Sequence, residues 1–279
     1  MPCPDPVLSA KIKKLHGHLK RLQSVLVAFS AGVDSTLLAV LANAVLADKA
    51  LAVTAVSPSL PQSDRLAASV LAEKYGLRHC FIESDEMSDE RFTANSPDRC
   101  YYCKGHLFRE LRRMADERGL VALLDGSNVD DADDFRPGRR AAAELGVISP
   151  LAAAGMHKSD IRVVSRLLGL PTANKPAMAC LASRIPYGLP LTGKILRQVD
   201  AAEDSLRKLG FTQVRVRSHG DVARLELPEN ELAAALPEPV RTSIVRELKN
   251  LGYRYITLDL VGYRTGSMNE ALTSANAGL

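Results

Sequence analysis

The chain contains no tryptophan, and aromatic residues make up only 5% of its 279 positions. That argues against an open platform of stacked rings for single-stranded nucleic acid. Charge of one sign is not dominant either. The formal net charge is +4, which suits a small acidic substrate as readily as RNA. No apolar run reaches the roughly 20 residues of a membrane span. The opening stretch, MPCPDPVLSAKIKK, lacks the apolar centre of a secretory signal. The expected setting is the cytoplasm, with no membrane partner. Cysteine is scarce: Cys3, Cys80, Cys100, Cys103 and Cys180. In a reducing compartment these are thiols and not a disulfide framework. Two phosphate-binding signatures are missing as well. No loop ends in Gly-Lys-Ser/Thr and no Gly-x-Gly-x-x-Gly occurs, which excludes a Walker A loop and a dinucleotide fingerprint.

What is present is a hydrophobic content of 46%, ordinary for a folded protein with one large or two modest domains. Strand-like runs recur: VLVAF (25–29), LAVTAV (51–56), RHCFIE (78–83), LVALLD (120–125) and GVISP (146–150). Helical patterns such as TLLAVLANAVLA and SDRLAASVLAEKYG lie between them. This alternation predicts an α/β domain over residues 1–185, a doubly wound, parallel, five-stranded sheet covered on both faces. Beyond LPTANKPAMACLASRIPYGLP the pattern changes. A helix near GKILRQVDAAEDSLRKLG precedes FTQVRVR and DVARLEL, two alternating runs joined by SHGD, which predict an antiparallel hairpin. The helix VRTSIVRELKNLG and the strand RYITLDL follow. Residues 186–279 are thus expected to form a smaller α+β domain.

The first strand runs into SAGVDS and then into a helix. Strand, tight turn and helix place unpartnered backbone N–H groups where an anion can meet them. Gly32 is expected to supply a backbone angle that other residues resist, and close approach for a phosphate. Ser30, Asp34 and Ser35 offer oxygens at the helix entrance. Open α/β sheets bind ligands at the carboxyl ends of their strands. By that rule Ser57, after the second strand, lies near a base. Gly126, Asn128, Asp130 and Asp131, after the fourth, lie near nucleotide or metal, with Arg136, Arg139 and Arg140 facing phosphate. SAGVDS resembles the SGGxDS pyrophosphate loop of the ATP pyrophosphatases, with Ala31 where that pattern has glycine. The resemblance implies ATP cleaved between its α and β phosphates, with Asp34 helping to hold Mg²⁺.

Cys100 and Cys103 form C-x-x-C at the head of a helix, where residues three apart share a face. Cys180 stands far along the chain in ACLASR. Three thiolates are one short of a closed site. His106 continues C-x-x-C to C-x-x-C-x-x-H, so zinc with three cysteines and a histidine stands beside unlinked thiols as an alternative. Cys80, inside a strand, is expected in the core, and Cys3 has no assigned role.

Taken together, SAGVDS, RCYYC, ACLASRIPYG, VRVR and GYRTGSMNE resemble the LarE-type ATP-dependent sulfur transferases over most of the chain. The resemblance implies adenylation of a carboxylate of pyridinium-3,5-biscarboxylic acid mononucleotide, followed by installation of sulfur, towards the nickel-pincer cofactor of lactate racemase. Members with one cysteine at the position of Cys180 give up its sulfur. Members with three hold a [4Fe-4S] cluster whose open iron carries it. Cys100, Cys103 and Cys180 imply the second kind, with a sulfide donor as a further partner and a homo-oligomeric assembly.

In the second domain Arg215 and Arg217 share one strand face, as do Arg224 and Glu226 on the partner strand. These arginines suit the substrate's phosphate, and a cross-strand salt-bridge ladder is the competing reading. Ser183 and Arg184 suit a carboxylate or phosphate, and Glu203 matches a family residue near that pocket. A cluster-dependent tRNA thiolase, an ammonia-using synthetase of the NAD or GMP synthase kind, and a zinc-stabilised nucleotide-binding module are the alternatives. With few arginines in a compact domain, no nucleic acid partner is expected.

Overall fold

A computed structural model describes residues 5–132, 137–176 and 179–264. Cys3, Arg136 and residues 265–270 of GYRTGSMNE lie outside the described residues. The chain gathers into two compact units. The first comprises Met1–Phe92 and Pro97–Met178, the second Thr93–Ser96 and Ala179–Leu279.

The first unit runs α1 (Pro6–Leu22), β1 (Val25–Ala28), α2 (Val33–Leu46), β2 (Ala50–Val56), α3 (Gln62–Lys74) and β3 (His79–Glu83). After α4 (Glu90–Thr93) come α5 (Arg99–Glu117), β4 (Ala122–Leu124), α6 (Pro137–Glu144), α7 (Pro150–Ala153) and α8 (Lys158–Leu167). The four strands pair in parallel in the order β3-β2-β1-β4. Alternate side chains of a strand face opposite ways, and both faces here are apolar. Val25 and Val27 pack with Leu15 and Leu19 of α1 and Leu37 and Leu38 of α2. Leu26 packs on the other side, with Phe108, Leu111 and Ala115 of α5. Cys80, in β3, packs half-buried against that second cluster, as expected of it. The fifth predicted strand, GVISP, is reduced to a single parallel bridge between Leu124 and Ile148. Its neighbours explain the shortfall. Gly146 sits at φ 64 behind α6, and Pro150, which has no N–H for a ladder, opens α7.

The second unit contains α9 (Gly193–Lys208), β5 (Arg215–His219), β6 (Val222–Glu226), α10 (Glu229–Leu232), α11 (Val240–Asn250) and β7 (Tyr255–Leu258). β5 and β6 form the expected antiparallel hairpin, with Arg215 opposite Glu226 and Gly220 turning at φ 64. β7 joins β6 in parallel, so the sheet is mixed. Val216, Ala223 and Leu225 face a core built with Leu206, Ile244 and Leu248. The opposite face carries the arginines.

Segment 93–96 is held in this unit by Asn95. Its side chain is fully buried and its backbone left-handed at φ 56, a conformation asparagine tolerates better than most residues. Its Nδ2 donates to the carbonyls of Ile185, Pro186 and Leu189 at 3.3, 2.7 and 2.9 Å. Asn95→Ala leaves those carbonyls without this donor; the bond to Ile185 is the buried one, so the cost is about 1–3 kcal/mol. The expected result is a lower melting temperature and faster proteolysis between residues 185 and 191 than in the parent chain.

Candidate active site

At the end of β1 the chain enters Ser30–Ser35, and Gly32 is the N-cap of α2. Gly32 has an extended backbone, φ −79 and ψ 170. The left-handed residue is Ala31, at φ 55. The expectation that Gly32 supplies the unusual angle is therefore corrected. Gly32 serves by having no side chain, since a Cβ there would lie 3.3 Å from Ser30 Oγ. The Ser30 N–H donates to Ser35 Oγ at 3.2 Å, and the two hydroxyls are 3.0 Å apart. The loop after β4 presses on this turn. A Cβ on Gly126 would meet Ser35 N at 2.9 Å, so only glycine lets the two backbones approach this closely. Asn128, buried, reaches Asp34 Oδ1 through Nδ2 at 3.4 Å. Asp34 also pairs with the ammonium of Lys158.

Lys158 opens α8, the end of a helix where a cation is disfavoured by the backbone dipole. Asp130 offsets this. Its carboxylate accepts from the His157 ring and, at 2.7 Å, from Lys158 N–H. Those hydrogen bonds, His157's foremost, hold the Asp130 carboxyl below its usual range. Asp131 accepts from Asn128 N–H at 2.9 Å. Arg139 donates to the Asp131 carbonyl, and Arg140 lies over the Tyr101 ring beside Glu144. Ser57, at the end of β2, is bound to Ser59 at 2.9 Å, and Ser59 donates to Glu86 at 2.9 Å.

Cys100 and Cys103 lie in the first turns of α5, Cys100 exposed and Cys103 half-buried. His106 approaches Asp89 Oδ2 at 2.8 Å. Arg91 and His106 together hold the Asp89 carboxyl far below its usual range, Arg91 chiefly. Among the described residues, no three His, Cys, Asp or Glu side chains are gathered as a metal site would require.

In the second unit, Cys180 precedes a short helical turn, Leu181–Arg184. Arg184 is fully buried. Its Nη1 donates to the carbonyls of Ala179 and Cys180, at 2.6 and 3.0 Å, and contacts Ser183 Oγ at 2.9 Å. Its Nε and Nη2 form a fork on Glu203 at 2.8 and 3.0 Å. Glu203, also fully buried, further accepts from Arg207 and from Val216 N–H. Arg217 makes a second fork, on Glu226 at 2.9 and 2.8 Å, and donates to the Ser183 carbonyl at 2.6 Å. Arg215 lies over Tyr263. Burial lowers its pKa first, and the neighbouring Arg184 charge second. The predicted arginine face is thus buried and cross-linked, with Arg224 tied to Glu226 and Asp259.

The chain is 43% identical over 269 residues to the pyridinium-3,5-bisthiocarboxylic acid mononucleotide synthase of Lactiplantibacillus plantarum, covering 96% of this chain and 97% of that protein. It belongs to the LarE family of ATP-dependent sulfur transferases. A family model for NAD synthase also matches residues 8–107, the part that carries the phosphate-loop turn. A Synechocystis protein of uncharacterised role is 42% identical over 267 residues, 96% of this chain and 100% of its own. An uncharacterised protein of Methanocaldococcus jannaschii is 28% identical over 262 residues, 93% of this chain and 99% of its own.

Set in a LarE-family chain, the loop cluster contains two cations that sequence reasoning missed, Lys158 and Lys175. The first left a signal, a lysine at the disfavoured end of a helix. The second left none, because it stands in a loop far along the chain from the two groups its ammonium binds. Lys175 bonds Asp64 at 2.9 Å and the Ala31 carbonyl at 3.1 Å.

Burial pushes the Glu203 carboxyl up, but the charge and hydrogen bonds of Arg184, then Arg215 and Arg207, outweigh it and hold the carboxyl below the usual 4.5. Ionised Glu203 therefore stabilises the fold above pH 4.5, and that contribution disappears as pH falls through the folded value. Glu203→Gln is expected to melt earlier at pH 7, since Arg184 loses its counter-charge in a buried place. Its melting temperature should also fall less steeply than the parent's below pH 4.5, in thermal unfolding followed across pH.

Proposed function

We propose that this chain adenylates a carboxylate of pyridinium-3,5-biscarboxylic acid mononucleotide and converts it to a thiocarboxylate, within the cytoplasm. The first unit handles ATP, and the second, from Ala179 on and not from residue 186 as expected, holds the substrate. A carboxylate oxygen attacks the α-phosphorus of ATP, the bond to the β-phosphate breaks, and pyrophosphate leaves. The acyl adenylate has AMP as leaving group where the carboxylate had an oxide. A sulfur nucleophile then adds to the acyl carbon, and the carbon–oxygen bond to AMP breaks.

Ser30, Gly32 and Ser35 place backbone N–H and hydroxyl groups on the departing pyrophosphate, where charge accumulates. Asp34 offers one carboxylate for Mg²⁺, an ion that keeps few protein ligands and takes the rest from phosphates and water. Lys158 neutralises Asp34 until the metal and nucleotide arrive, and then turns to phosphate. Ser57, Gly126 and Asn128 line the nucleotide. Arg215 and Arg217 take the substrate's 5′-phosphate, with Ser183, Arg184 and Glu203 setting the geometry around Cys180.

The observation that carries this reading is the grip on Cys180. Two carbonyls, its own and that of Ala179, are bound by a buried guanidinium that a buried carboxylate orients in turn. A residue fixed this firmly at the head of a short helical turn is held for its side chain. Cys100 and Cys103 supply two soft ligands on one face of a helix, a donor set that suits iron–sulfur chemistry. With Cys180 they would hold a [4Fe-4S] cluster. When bound, such a cluster supplies a sulfur nucleophile without consuming the chain.

Two separable losses test the assignment. Asp34→Ala is expected to abolish AMP formation from ATP and the dicarboxylate nucleotide. Cys180→Ala is expected to keep AMP formation and lose sulfur transfer. Sulfur transfer retained by Cys180→Ala removes Cys180 from the chemistry. Anaerobic purification should yield iron and acid-labile sulfide in the parent chain and little in Cys100→Ser or Cys103→Ser. Mass spectrometry after turnover should find Cys180 intact, whereas loss of its sulfur would mean sacrifice of the residue.

A further inference from the structure

The loop cluster contains a connection that the adenylation reading does not use. Ala31 sits left-handed at φ 55 and fully buried, a conformation that costs a residue with a Cβ about 1–2 kcal/mol. Its carbonyl accepts from Lys175 Nζ at 3.1 Å. The same ammonium bonds Asp64 at 2.9 Å, and Asp64 is buried. Lys175 is itself anchored. Arg162 donates to the carbonyl of Lys175 at 3.1 Å and to that of Ala173 at 2.7 Å. Arg162 stands one turn beyond Lys158 on α8, on the same side of the helix. One helix face thus holds Asp34 through Lys158 and holds Lys175 through Arg162.

A trans peptide is planar, with its C=O and N–H pointing in opposite directions. The peptide whose carbonyl Lys175 holds is the one between Ala31 and Gly32, and its N–H belongs to Gly32. Drawing the carbonyl towards Lys175 aims the Gly32 N–H the other way, to the anion side of the turn. A rotated peptide would present the carbonyl there and repel phosphate.

We propose that Lys175 is a positioning residue for phosphoryl chemistry. By binding the Ala31 carbonyl it pre-sets the Gly32 amide as a donor to pyrophosphate. This rests on the reading of Ser30–Ser35 as a pyrophosphate loop.

The test is titration of the full chain with magnesium pyrophosphate by calorimetry, with the Gly32 amide followed by ¹⁵N NMR. In the parent chain the amide resonance should move on binding. Lys175→Met should bind pyrophosphate about tenfold more weakly, the scale of one well-oriented charged hydrogen bond. Its Gly32 amide should be displaced before any ligand is added. Asp64→Asn combined with Lys175→Met removes the stranded buried charge and should show the same two changes, with a melting temperature close to the parent's. Unchanged affinity in a folded Lys175→Met protein overturns the proposal. A weaker affinity with an unmoved free Gly32 amide overturns it as well, because that is the signature of Lys175 touching phosphate directly. A parent chain that binds no pyrophosphate refutes the loop reading instead.

Discussion

Parallel pairing obliges every strand of the first sheet to end on the same edge, and the chemistry of this unit follows from that. With the order β3-β2-β1-β4, the end of β1 lies between the ends of β2 and β4. Three loops therefore converge without any dedicated framework. Ser30–Ser35 comes from the centre, Ser57 and Ser59 from one side, and Gly126–Asp131 from the other. The closeness is steric as well as topological, because Gly126 leaves no room for a Cβ against Ser35. A helix N-terminus opens at this point with unpartnered N–H groups. Anion binding there needs no further device, only a turn whose amides face the right way.

The second unit solves a different problem by different means. It buries Arg184, Glu203 and Glu226 almost completely, with Arg215 and Arg217 nearly so. Burying ions is costly, and it is tolerated only where forks and extra hydrogen bonds satisfy the charges. Here the forks are present, Arg184 on Glu203 and Arg217 on Glu226. Arg184 also donates to the Cys180 carbonyl, and Arg217 to the Ser183 carbonyl. Apolar residues of the same volume would pack at lower cost but hold no carbonyl. The arrangement favours a fixed cysteine turn over maximal stability.

Much of this was legible in the amino-acid pattern, and the illegible parts have physical causes. Apolar runs such as VLVAF and the alternation in VRVR stated their strands, because one demands two buried faces and the other one. The fifth strand was overcalled because apolar content says nothing about Pro150, which cuts the ladder short. The position of the phosphate turn was readable, but the residue at positive φ was not. Turn geometry is decided by groups distant in sequence, here Lys175 and Asp64, and a glycine draws attention away from the alanine beside it. Arg184 and Glu203 were both singled out as candidates, yet nothing local says that they pair. Lys158 violates helix electrostatics, and such a local violation is the kind of signal that points to use.

The four residues Thr93–Ser96 belong to the second unit, although the first supplies the chain on both sides of them. The polypeptide therefore passes from one unit to the other three times, not once. Neither unit is a contiguous module that recombination could move intact. A gene fragment beginning at residue 179 would leave Asn95 behind, and with it the donor for three carbonyls. Expressing the two units as separate chains, split at residue 179, would break this stitch.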